Sequence, residues 1–170
     1  MGKVTRLKSI LTFCALFSAS AGFGAAQIAV RIEKTDLHCP RHLDDQTATG
    51  AIHDYLESWK SLNSAFDQNR TDLLDADFVG AAKEKFARTI QQQAADGART
   101  RYLDRAHDIQ IVFYSPEGLS IELTDTVEYD TQLLDHDKPL SGQRVHSRYI
   151  VVLTPSETRW KVRVLQAIPE

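Results

Sequence analysis

Between Leu119 and Leu134 the chain reads LSIELTDTVEYDTQLL, sixteen residues in which apolar and polar side chains alternate almost without a break. One set comprises Leu119, Ile121, Leu123, Asp125, Val127, Tyr129, Thr131 and Leu133; the other comprises Ser120, Glu122, Thr124, Thr126, Glu128, Asp130 and Gln132. A period of two is the mark of a strand with one buried and one wet face. Strands usually run to about five or six residues, so this length predicts a bend or bulge partway along. Whatever else the chain does, it must supply a layer to cover that apolar face. Asp125 is the one carboxylate in the middle of it.

The preceding text supplies the cover. Ile52, Tyr55, Leu56, Trp59, Leu62, Asn63 and Phe66 recur at steps of three and four, which predicts an amphipathic helix beginning near Ala48 to Ala51 and ending at Asp67. Thr71 is placed to cap a short second helix with Leu73 and Leu74 facing inward. Phe78, Val79, Ala82, Phe86, Ile90 and Ala94 mark a third, with Gly97 as its C-terminal cap. Beyond Gly97 the period is two throughout. Tyr102 to Leu103 and Ile109 to Tyr114 make a strand interrupted near Asp104, and Ser115 to Gly118 make a hairpin turn. Asp135 to Gly142 form a longer loop, and Val145–Leu153 and Arg159–Ile168 are the last two strands. Helices followed by consecutive antiparallel strands predict an α+β domain with the helices on one sheet face.

The first 26 residues are of another kind. Lys3, Arg6 and Lys8 precede the apolar stretch SILTFCALFSASAGF and the small residues of GFGAAQ, the layout of a secretory signal peptide cleaved after Ala26. The alternative is an uncleaved segment that anchors the protein in a membrane, since the run through Val30 is just long enough to span one. Without those three cations the chain carries 17 basic and 23 acidic residues, a net charge of −6. That balance argues against nonspecific nucleic-acid binding, which needs clustered cations on phosphates. Residues 27–46 read as a leader or linker, although IAVRI has the makings of a short strand, and residues 47–170 as the domain. Loss of Cys14 with the signal leaves Cys39 alone, so no intramolecular disulfide forms.

No motif names a chemistry. His38, Cys39 and His42 in HCPRH are metal-ligand types, but Pro40 separates them and no second pair is present for a structural zinc site, so no metal is expected. Phosphate-cradling glycine loops and an H-E-x-x-H string are absent, and no cofactor is implied.

The succession AIHDYLESWKSLNSAFDQNRTDLLDADF, a long helix, the hairpin at SPEG and RYIVVLTPSETRWKVRVL resembles the nuclear transport factor 2-like superfamily. The Trp-Lys pairs also make it similar to the inner-membrane-sequence type of domain of organelle import and division proteins, and to SnoaL-like proteins. The resemblance implies three N-terminal helices packed on a strongly curved antiparallel sheet, a cystatin-like cone. Its interior would be a ligand-binding cavity lined by Tyr55, Trp59, Leu123, Asp125, Tyr129 and Tyr149.

Two functional expectations follow. The first is an exported, non-catalytic ligand-binding or protein-interaction module of the bacterial cell envelope, periplasmic or secreted, holding a small apolar ligand. The second is a cofactor-independent isomerase, dehydratase or cyclase, with Asp125 as base and Tyr129 or Tyr149 donating to a developing oxyanion. Burial raises a carboxyl toward the working range of a base; equally, an inward Asp serves as a hydrogen-bond acceptor that organises a core. On the outward sheet face, Arg144, Arg148, Ile150, Arg159, Lys161 and Arg163 are candidates for a surface that meets a protein partner or forms a homodimer.

Overall fold

The computed structural model describes residues 28–33 and 41–169. The expected signal segment (residues 1–26), His38 and Cys39 lie outside the described residues. Strand β1 (Ala29–Glu33) is followed by helix α1 (Asp45–Gln68), a 3-10 turn (Thr71–Leu74) and helix α2 (Gly80–Ala95). Four strands complete the chain: β2 (Ala98–Tyr114), β3 (Ile121–Asp135), β4 (Lys138–Pro155) and β5 (Trp160–Ile168). They form one sheet in the order β1-β2-β3-β4-β5. The helices cover one face of it, and no helix among the described residues is long and apolar enough to cross a membrane.

The α+β architecture follows the expectation, with corrections in detail. Among the described residues there are two α-helices and one 3-10 turn, not three helices. Helix α1 starts earlier than its apolar stripe, at Asp45, because the Asp44 side chain accepts the Thr47 N–H at 2.8 Å and so satisfies a free donor of the first turn. It stops where Asn69 turns left-handed (φ 53°). Between Asn69 and α2 only one 3-10 turn fits, since Phe78 and Val79 are drawn into extended pairing with Val162 at the edge of β5. Thr71 accordingly caps nothing; the turn has no side-chain cap. Gly97 (φ 70°) does end α2, donating its N–H to the Ala94 carbonyl.

The sheet differs in two further respects. The IAVRI segment is an edge strand, and it runs parallel to β2, pairing Ala29 with Ala106 and Glu33 with Gln110. The predicted loop after Asp135 is instead a two-residue turn at His136 and Asp137, both with positive φ (45° and 70°), so that β3 and β4 form one long hairpin. Positive φ at both central residues gives the turn a twist that matches the strands.

Strand β3 is the axis of the fold. Its burial alternates strictly from Ile121 to Asp130, and the inward set through Tyr129 is closed to solvent. The predicted bulge is not in β3 but in its neighbours. Register shifts leave Arg105 and Val112 of β2, Leu140 of β4 and Arg163 of β5 as extra residues. Each bulge adds local bend and twist, which lets long strands wrap the helices while β3 keeps one face inward from Ile121 to Tyr129; beyond it the phase changes beside the Leu140 bulge, so Leu133, expected inward, is 37% exposed and Leu134 is buried instead.

Candidate functional site

Asp125 sits midway along β3, opposite Ile109 of β2 and Tyr149 of β4, and its side chain is fully buried. Two donors converge on its Oδ2. The Tyr55 hydroxyl, three residues beyond Ile52 at the start of α1's apolar stripe, donates at 2.7 Å. The Nδ1 of His107 lies at the same distance, 2.7 Å; with Asp125 as the carboxylate, an acceptor only, the hydrogen of that bond is assigned to Nδ1. Tyr55 is closed to solvent and His107 is only 2% exposed. Burial, reinforced by the neighbouring Asp125 carboxyl, holds the Tyr55 phenol well above its ordinary pKa and therefore keeps it a donor.

Why His107 faces inward is a matter of the bulge. Tyr102 and Asp104 point to the helices; a regular strand would continue with Ala106 and Asp108 and turn His107 outward. The extra residue Arg105 resets the phase, so His107, Ile109 and Ile111 share the inner face. His107 was not singled out from the sequence, where it stands between Ala106 and Asp108. The signal was available all the same, because it lies in step with Ile109 and Ile111.

The other expected cavity residues gather beside this triad as packing, not as the wall of an open chamber. Trp59 packs edge-on to His107 (5.4 Å between ring centres) and lies 5.9 Å from both Tyr129 and Tyr149. The hydroxyls of Tyr129 and Tyr149 are 3.0 Å apart. Burial, with the Tyr149 hydroxyl second, raises the Tyr129 phenol, and burial pushes Tyr102 up to about 12. Leu123 is fully buried on the same face. The structure thus brings together all six expected interior residues, and adds His107. It does not leave Asp125 within reach of solvent. One carboxylate oxygen, Asp125 Oδ1, and the Trp59 indole Nε1 are buried with no hydrogen-bond partner among the described residues.

The candidate outer surface divides. Arg144 lies on the outward face and pairs with Asp130 (3.0 Å) and Glu128 (3.4 Å), while Arg105 reaches Asp130 from the other side. These two guanidiniums hold the Asp130 carboxyl down at about 2. Arg148 stands on that face across from Thr126, and Ile150 is 36% exposed across from Thr124. Arg159 and Lys161, by contrast, turn to the segment ahead of α2. Arg159 bonds the buried Asp77, and the Lys161 ammonium donates to the Asp75 carbonyl at 2.9 Å. The backbone pairing of Phe78 and Val79 with β5 brings those acceptors there, so Arg159 and Lys161 fasten the helical layer to the sheet edge. Arg163 is the bulge residue of β5. Among the described residues no group of three His, Cys, Asp or Glu side chains is arranged to hold a metal ion.

No family model matches the sequence, and no curated protein matches it. Solved structures do. The intermembrane space region of chloroplast protein ARC6 is similar over 76% of this chain and all of its own length, with a TM-score of 0.63 and 16% identity. A putative scytalone dehydratase from Novosphingobium aromaticivorans aligns over 74% of this chain and 89% of its own, with a TM-score of 0.50 and 12% identity. The Kfla4162 protein from Kribbella flavida aligns over 71% and 90%, with a TM-score of 0.50 and 11% identity. At such identities the likeness is one of fold alone: helices packed on one face of a curved sheet, the architecture that the expected resemblance implies.

Proposed function

We propose that the protein is an exported, non-catalytic ligand-binding or protein-interaction module of the cell envelope, in which Asp125 organises the core. The observation that carries this reading is the closure around the carboxylate: Asp125 and Tyr55 are 0% exposed and His107 2%. A general base must come within about 2.6–3.2 Å of the proton it removes, directly or through one water. Here those positions around Oδ2 are taken by Tyr55 and His107, and Oδ1, which has no partner among the described residues, is buried away from solvent. The nearest phenols, Tyr129 and Tyr149, bond each other, and burial disfavours ionisation of Tyr129.

The outward sheet face is then the surface for a protein partner or a second copy. Arg148 and Ile150 lie on it, and Phe113, paired with outward-facing Glu122, adds an apolar side chain that is 40% exposed. The shared fold with a domain that works in an intermembrane space supports placement in an envelope compartment, as does the layout of residues 1–26. The similarity to a putative scytalone dehydratase keeps an enzyme as the competing reading. Assay of the purified protein and its Asp125→Asn variant against ketosteroids and other enolisable carbonyl compounds separates the two. The proposal expects no turnover that depends on Asp125. Turnover abolished in a folded Asp125→Asn variant would replace it with the isomerase, dehydratase or cyclase reading.

A further inference from the structure

Where α1 passes the sheet edge there is a cleft of about 530 Å³, within the size range of small-molecule sites. Its walls are Lys60 and Asn63 of α1, Tyr102, Asp104 and Arg105 of β2, and Ile28 ahead of β1. The bulge that turns His107 inward also builds this place: Asp104 is the last residue before it, opposite Tyr129, and faces the helix.

Charge and hydrogen bonding in the cleft are unbalanced in one direction. Lys60 is neutralised by Glu57 at 2.6 Å, and Arg105 by Asp130. Asp104 has no ion pair among the described residues; its Oδ2 accepts only the Asn63 amide, at 3.0 Å. Asp104 Oδ1 and Asn63 Oδ1 are both buried without a hydrogen-bond partner among the described residues. Two adjacent leftover acceptors, one of them on a carboxyl, call for a group rich in donors and carrying positive charge. Burial raises the Asp104 carboxyl, partly offset by His107 and Asn63, as expected for an acid that lacks a cation. Beside it lie the partly buried Tyr102 ring and Ile28 as apolar surface.

We infer that this cleft binds a small organic amine as its ammonium ion, with the N–H groups on Asp104 and Asn63 and the apolar body along Tyr102 and Ile28. Entry requires rotation of the Asn63 and Asp104 end groups, whose terminal torsions are soft. The site is separate from Asp125. Failure to bind amines would leave the non-catalytic reading standing, and Asp125-dependent turnover would leave the amine site standing.

The test is titration of the ¹⁵N-labelled protein with 2-phenylethylamine, 2-phenylethanol and 3-phenylpropionate, three probes of similar apolar body and different charge. The expected result is saturable shifts at the Asn63, Tyr102 and Asp104 amides with the amine, and affinities at least about tenfold weaker for the alcohol and the acid. Asp104→Asn, close to isosteric, should weaken the amine by about tenfold while thermal unfolding reports an intact fold. Equal binding of amine and alcohol by the wild-type protein, shifts at other residues, no saturable binding, or full amine affinity in a folded Asp104→Asn variant would each overturn the inference.

Discussion

Truncating Asp125 to alanine removes the acceptor shared by two buried donors. Tyr55 and His107 would each keep a polar hydrogen in a site that water does not reach. An orphaned buried donor costs about 1–3 kcal/mol, so the pair implies a loss of about 2–6 kcal/mol before any cavity contribution. Against a total stability of about 5–15 kcal/mol for a folded domain, that is a large fraction. Tyr55→Phe removes one donor and leaves Asp125 bonded to His107, and should cost about 1–2 kcal/mol. Because both substitutions delete the same hydrogen bond, the double variant should be less destabilised than the sum, with a coupling of about 1 kcal/mol or more. Urea unfolding followed by tryptophan fluorescence reads all three, since Trp59 packs against His107. A loss below about 0.5 kcal/mol for Asp125→Ala, or additive effects in the double variant, would refute the argument that Asp125 bridges the helix to the sheet.

Two other outcomes follow from single contacts. Asp130 is held at about 2 by Arg105 and Arg144, below the ordinary value of about 3.9. Its contribution is therefore complete above about pH 4 and is lost as pH falls toward 2; urea midpoints for Asp130→Asn should show a smaller drop across that window than the wild type, and an unchanged drop would count against the pairing. Gly118 has φ 76°, and a Cβ there would meet Arg41 Nη1 at 2.6 Å and the Tyr114 hydroxyl at 2.9 Å. Gly118→Ala should cost at least about 1–2 kcal/mol from the left-handed backbone alone, and a neutral effect on the thermal midpoint would contradict that geometry.

Much of this fold can be read from β3. From Ile121 to Asp130 its alternation is strict because the inward side chains belong to the core and the outward ones share the face with Arg144 and Arg148, so burial and sequence carry the same period; at Leu133 and Leu134 the phase changes and the sequence misleads. The stripe from Ile52 to Phe66 was legible in α1 for the same reason. What composition does not encode is backbone phase. Arg105 is an ordinary surface residue in text, yet its bulge decides that His107 joins Asp125 and that Asp104 faces α1. His136-Asp137 lacks the Asn-Gly signature of a tight hairpin turn and so reads as part of a loop. The parallel pairing of β1 with β2 joins segments more than seventy residues apart, a contact that local periodicity cannot register. Asp125 itself was conspicuous in the sequence; its two donors, from distant elements, are what set its role.

The most direct measurement of the closed core is the imidazole N–H of His107, observed by ¹⁵N-edited NMR with selective histidine labelling. A sealed triad predicts a proton resident on Nδ1, protected from exchange with water and close in space to the Tyr55 hydroxyl. A ring proton exchanging as fast as that of free imidazole would mean that solvent reaches Asp125 and would contradict the closed-core account, and a proton resident on Nε2 with Nδ1 bare would mean that the carboxyl itself carries the shared hydrogen and would contradict the assignment of Asp125 as the acceptor of both bonds.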